Sequence, residues 1–232
     1  MSVRVSAVRS STDGAWLAPV SRVPALESSL MGADIDGVIE SRSTGGRWEV
    51  EVDLLDFRLG RDHDAWDCLF GVSGAWGVER PLFAYRGLPS DVSDPVRETG
   101  IGDYQHSHTY ATWAEVAAVD WDAPLADGPA WSWVGEWRPG EDGELAPRVV
   151  EATPELGEAA ADAFGGHLLL APSKWPPGGE VHLNGVLYRP VVLTARMLAP
   201  PDEERWAPVW QAMRDLAAEY GDENVRLVVW FG

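Results

Sequence analysis

The chain has 232 residues, with 18 Lys and Arg against 37 Asp and Glu, for a formal net charge of −19. That length fits one large domain or two small ones, and 45% apolar residues including 13 tryptophans suffice for a sizeable core. A mean hydropathy of −0.17, with no apolar run near about 18 residues, argues against a membrane-spanning helix, and the charge disfavours general DNA or RNA binding through a basic face.

Residues 1–30 read as an N-terminal extension with one strand-like run at Ser2–Val8, and Met31 stands as an alternative start. The first residues lack the continuous apolar stretch and small-residue cleavage site of a secretory signal. Cys68 is the only cysteine, so an intrachain disulfide and a Cys-based zinc cage are ruled out and a cytoplasmic location is expected. Residues 31–232 are expected to form a single domain. Ala33–Ser41, the turn Thr44-Gly45-Gly46 and Arg47–Val52 predict an antiparallel hairpin. Asp64 predicts the cap of a short helix, Ala65–Phe70, leading into Gly71, Gly74 and Gly77, whose spacing fits neither a Walker loop nor a Rossmann fingerprint and reads as a flexible connection. Pro81 to Asp103 reads mostly as loop, with Asp94-Pro95 as a cap and first-turn proline. Thr112-Trp113-Ala114-Glu115 matches a capping box opening a helix toward Val119.

Pro, Gly, Asp and Trp crowd residues 122–147, which predicts a long ordered loop or extended arm. Thr153-Pro154-Glu155 opens a helix through Phe164 that Gly165-Gly166 closes. Glu180–Leu183, the turn Asn184-Gly185 and Val186–Tyr188 predict the clearest hairpin, its second strand running past Pro190 into Val191–Met197. From Asp202 a long helix is expected, its apolar stripe formed by Trp206, Val209, Trp210, Met213, Leu216, Ala217 and Tyr220, with Pro208 in its first turns and Gly221 as the stop. Val225–Phe231 reads as a buried strand. Strands and helices mix without a βαβ rhythm. The expected class is therefore α+β, a mixed, largely antiparallel sheet with a few packed helices.

Two segments carry candidate chemistry. In Asp103-Tyr104-Gln105-His106-Ser107-His108, an extended backbone would project His106 and His108 to one side, as a metal-ligand pair or a ligand-gripping pair requires; Asp91, Asp34 and Asp103 offer further acids for a divalent cation. Hydrogen-bonded structural histidines are the alternative. In Arg86-Gly87-Leu88-Pro89-Ser90-Asp91, the planar guanidinium beside a glycine suits bidentate phosphate or carboxylate contact, or else a structural pair with Asp91. Trp131 and Trp133 either stack on a ligand ring or pack their loop down. His63 reads as a loop residue, and His167 and His182 as structural.

Asp34-Ile35-Asp36-Gly37-Val38-Ile39 resembles the first motif of haloacid-dehalogenase-type phosphatases, which implies Asp34 as nucleophile toward phosphorus and Asp36 as general acid/base beside Mg²⁺. Val191–Arg196 resembles the second motif of that superfamily, a strand ending in a phosphate-binding Thr194, and Asp222 and Glu223 mimic its last metal-binding acids. The pattern departs in lacking a Lys after Thr194. A second resemblance rests on several blocks in order: Met31-Gly32-Ala33-Asp34-Ile35-Asp36, Arg61, Arg86-Gly87-Leu88-Pro89 with Asp91 and Ser93, His106-Ser107-His108-Thr109-Tyr110, the Thr112–Glu115 box with Trp121, and Val225–Phe231. Together they resemble a family of phage and prophage proteins over roughly residues 31–121 and 202–232. The chain departs from that family at Asp36, where His is expected, at Gly232, where Asp is expected, and in its leading residues. A phage-type origin is what this resemblance implies.

Arg61, Arg86, Asp91, His106 and His108 cluster within one half of an acidic chain, and such a mix of forked cations, imidazoles and acids suits a pocket for a small phosphorylated or nucleotide-like molecule. Sequestering a host defence signal is the use expected of such a protein in a phage. The alternatives are a metal-dependent phosphohydrolase or phosphodiesterase using His106, His108, Asp91 and Asp34, and an acidic protein that mimics nucleic acid or docks on a basic host protein.

Overall fold

The first strand, β1 (Ile35–Ser41), turns through Thr44-Gly45 into β2 (Glu49–Asp53), and the positive φ of 73° at Gly45 is what that turn demands. A computed structural model of the chain describes residues 35–71, 78–83, 85–99, 106–139, 145–166, 169–202 and 205–231. These belong to the unit Ala33–Gly232; the unit Met1–Gly32, with the strand expected at Ser2–Val8, lies outside the described residues, as do Asp34 and Asp103. After β2 come a 3-10 turn, Leu54–Phe57, and α1 (His63–Phe70). The cap of α1 is Asp62, whose carboxylate accepts from the Ala65 amide at 3.3 Å, and not Asp64, which falls inside the first turn. Next are α2 (Asp94–Thr99), β3 (His106–Thr112) and α3 (Trp113–Ala117). Both halves of the expected capping box of α3 form: the Glu115 amide donates to Thr112 Oγ1 at 3.3 Å, and the Thr112 amide donates to Glu115 Oε2 at 2.8 Å.

The stretch expected to be a long loop over 122–147 is loop only to Ser132. β4 (Trp133–Pro139) and β5 (Leu145–Glu151) pair antiparallel from Trp133–Glu151 to Pro139–Leu145. Prolines hid this hairpin from the sequence pattern, yet among the described residues β5 lies at the edge of its sheet, the place where a strand proline such as Pro147 is tolerated. The chain continues through α4 (Pro154–Phe164), β6 (Val181–Leu183) and β7 (Val186–Pro190). β7 does not run on to Met197. It stops at Pro190, the Val191 and Leu193 carbonyls accept instead from Ala130 and Leu125 at 2.9 Å, and α5 (Ala195–Leu198) follows. The long helix α6 (Ala207–Tyr220) begins five positions after the expected Asp202, with Pro208 in the first turn, where its fixed φ and missing donor are harmless. β8 (Val225–Phe231) closes the described chain.

The fold is α+β, as expected, with its strands divided between two antiparallel four-stranded sheets ordered β2-β1-β8-β3 and β5-β4-β7-β6. Every residue of β8 is buried, so both faces of the first sheet are covered. Val225, Leu227, Val229 and Phe231 face the large core with Ile35, Ile39, Ala111 and, from α1 and α6, Trp66, Phe70, Val209 and Met213. Val228 and Trp230 face the other way, onto Val38, Val92 and Val96 under the segment that carries α2. Gly37 lets β1 lie against β8, since a Cβ there would stand 2.4 Å from the Val228 carbonyl oxygen. The second sheet packs Val134 and Val181 on Leu156 and Ala160 of α4 and on Trp175.

Candidate functional site

Arg226 is the one charge in an otherwise apolar strand, and it is 3% exposed. A guanidinium at that depth persists only when paired. Its Nε donates to Glu40 Oε2 at 2.8 Å, from the neighbouring strand at the paired register position, and its Nη1 donates to Asp91 Oδ1 at 2.8 Å. Glu40 is fully buried, and its second oxygen accepts from the Ser93 amide at 3.0 Å. Trp48 covers the arrangement: its Nε1 donates to Asp91 Oδ2 at 2.9 Å, and its ring centroid lies 3.7 Å from the Arg226 guanidinium carbon. Arg42 sits at the same indole, 4.4 Å from the centroid, and its Nη1 reaches Asp91 Oδ2 at 3.4 Å while its Nε donates to Asn224. The Arg226 hydrogen bond, aided by Trp48, holds the Asp91 carboxyl below the usual carboxylate range against some desolvation.

Beside this network opens a cavity of about 440 Å³ whose lining includes Arg42, Arg47, Arg97, Trp48, Asp91 and Ser93. Arg47, at the end of the β1–β2 turn, is exposed and forms no ion pair among the described residues. Arg97, on α2, donates to the backbone carbonyls of Ser90 and Val92 and forms no ion pair among the described residues, while Asp94 lines the same cavity. Ser93 is 5% exposed, and its Oγ has no hydrogen-bond partner.

The residues expected to converge are distributed differently. Asp91 lines the arginine cavity, but its partner is Arg226 rather than Arg86. Arg86 donates to Glu115 Oε2 at 2.8 Å and lies 4.3 Å from the Tyr110 ring, lining a separate cavity of about 580 Å³ with Phe83 and Val119. The Glu115 bond raises the Arg86 pKa; for Glu115 itself, burial opposes ionisation, but the bonds from Arg86 and Thr112 outweigh it and lower the carboxyl. His106 and His108 do not project to one side. Ser107 adopts a left-handed φ of 54° and the register against β8 shifts between His106 and Thr109, so the alternation breaks between the two imidazoles. His106 pairs with Phe231, stacks on its ring at 6.2 Å and bonds Ser107, while His108 falls two positions from Tyr110 and shares the alternation of the opposite face. Arg61 is exposed and lines neither cavity.

Among the described residues no three His, Cys, Asp or Glu side chains come together to hold a metal ion; Asp34 lies outside them. The strand implied by the second phosphatase-like motif is also absent: Thr194 precedes α5 without a side-chain cap bond, and Asp222 and Glu223 stand exposed in a 3-10 turn. Burial, helped by Asp62 and Asp67, pushes the Cys68 thiol up to about 12, so it is no nucleophile. Trp133 packs on the core, whereas Trp131 is 49% exposed.

Arg42, Arg47, Arg97 and the Glu40–Arg226 pair escaped sequence reasoning. Arg226 and Glu40, each a charge within an apolar strand, were the available signal, because such charges demand partners. Comparison of the chain with family models, with curated proteins and with solved structures finds no match.

Proposed function

We propose that the protein binds a small phosphorylated or nucleotide-like molecule, seating its anionic group among Arg42, Arg47 and Arg97. The observation that carries this reading is the gathering of three guanidinium groups around one open cavity in a chain of net charge −19. Elsewhere on the surface several arginines pair with acids, as Arg80 does with Asp127 and Arg196 with Asp122. Arg47 and Arg97 have no such partner here, and guanidinium forks match phosphate oxygens in pairs. Asp91 and Glu40 take up the charge of Arg226, so the ligand meets the outer arginines on a fixed base. In a phage-type protein, binding without turnover would withdraw a host signal.

Calorimetric titration with pyrophosphate and with adenosine diphosphate tests this. Both are expected to bind, and Arg47→Ala and Arg97→Ala are each expected to weaken binding about ten-fold, the worth of one charge-assisted contact. Absence of binding by either compound, or unchanged affinity in both variants, overturns the proposal. Mass spectrometry of the recovered nucleotide separates a binder, which returns it intact, from a phosphohydrolase.

A further inference from the structure

The arginine cavity has a negative side as well. Asp94, the first residue of α2, lines it, is exposed, and forms no hydrogen bond or ion pair among the described residues. An anion seated among Arg42, Arg47 and Arg97 therefore also meets a like charge. The groups around the opening decide how much negative charge it accepts. Arg226 is matched twice, by Glu40 at 2.8 Å and by Asp91 at 2.8 Å, so that triad is left with one negative charge over. Arg42 answers it, its Nη1 lying 3.4 Å from Asp91 Oδ2. Arg47 and Arg97 then stand against Asp94, two cations to one carboxylate.

The surplus is a single positive charge, in a chain whose net charge is −19. One negative charge on a ligand matches it. Each further one meets Asp94 and the repulsion of the whole molecule with no cation left to answer it. The two unpaired guanidinium groups suit a singly charged ligand in shape too. A phosphodiester shares its one charge over two unbridged oxygens, and a guanidinium fork presents paired N–H donors to such oxygens. The cavity, at about 440 Å³, has the size of pockets that enclose small organic ligands. Given the anion binding proposed above, on which this assignment rests, we infer that Asp94 is the specificity-determining residue of the cavity. It favours a singly charged phosphodiester, such as a cyclic nucleotide, over a nucleoside di- or triphosphate. Because Asp94 is exposed, water and salt screen its field, and the discrimination is a few-fold rather than absolute.

The test titrates 3′,5′-cyclic AMP and adenosine diphosphate, by calorimetry at one low ionic strength, into the full chain and into its Asp94→Asn variant. Asparagine keeps the size of aspartate and its tolerance at helix starts, so the melting temperature is expected to hold. In the wild type, cyclic AMP is expected to bind about five-fold more tightly than the diphosphate. In Asp94→Asn the diphosphate is expected to gain about five-fold while cyclic AMP changes by less than about two-fold, which separates charge from the difference in ligand shape. Raising the salt is expected to shrink the wild-type preference. Wild-type binding of the diphosphate as tight as that of cyclic AMP, or a preference that Asp94→Asn leaves unchanged, overturns the assignment to Asp94 and leaves the anion site standing. Absence of binding by both nucleotides overturns the anion site and the assignment together.

Discussion

Alternate residues of β8 make two unlike surfaces from one strand. On one side Val225, Leu227, Val229 and Phe231 enter a core built with α1 and α6, where the restoring force is apolar area and no polar partner is needed. On the other side Arg226 stands in line with Val228 and Trp230, and beneath it an ion network joins β1, β8 and the loop before α2. The first surface tolerates changes of shape better than changes of polarity. The second depends on each charge keeping its partner, and the arginine cavity opens beside it. An apolar core and an ion network thus occupy opposite sides of a single sheet.

Removing one partner breaks that division most sharply. Arg226→Met strands the fully buried Glu40, and a loss of about 3–5 kcal/mol in urea unfolding is expected; adding Glu40→Leu to the same chain should restore most of it, because both charges are then gone. On the core side, Leu227→Ala is expected to cost about 2–4 kcal/mol through the cavity it leaves, with no second substitution at a polar site able to rescue it. Gly37→Ala tests the seam between the strands. Its Cβ would press on the Val228 oxygen and on Leu54 Cδ1, so a loss of about 1–3 kcal/mol is expected. The smallest effect concerns acid. Because the Asp91 pKa is lowered on folding by the Arg226 bond, its contribution to stability is whole above about pH 4 and fades as the pH falls through the lowered value. Asp91→Asn should therefore narrow the gap to wild type at low pH, as followed by urea midpoints across pH 2–6; a gap that widens on acidification would contradict the assignment.

Much of the fold could be read locally. The hairpin at Thr44-Gly45, the Asn184-Gly185 turn, the Thr112–Glu115 box and the terminal strand all depend on residues close together in sequence. The β4–β5 hairpin was hidden because Pro139 and Pro147 imitate a loop at a sheet edge. The candidate site was legible only in part. Asp91 was found, but its partner lies 135 residues away on the last strand, and the Arg226–Glu40 bond spans 186. The break between His106 and His108 turns on a single left-handed serine, which no alternating pattern announces.

That serine also bears on how the molecule meets its own copies. β3 is an outer strand of the first sheet among the described residues, and outer strands offer unpaired amides and carbonyls to any extended chain that drifts by. The kink at Ser107 puts the start of this rim out of step, so an incoming strand finds no continuous ladder to zip onto. The opposite rim, β2, presents exposed Glu49 and Glu51 and repels a second β2 by charge alone. One border is guarded by shape and the other by like-sign repulsion, which leaves edge-to-edge stacking into aggregates disfavoured from both directions.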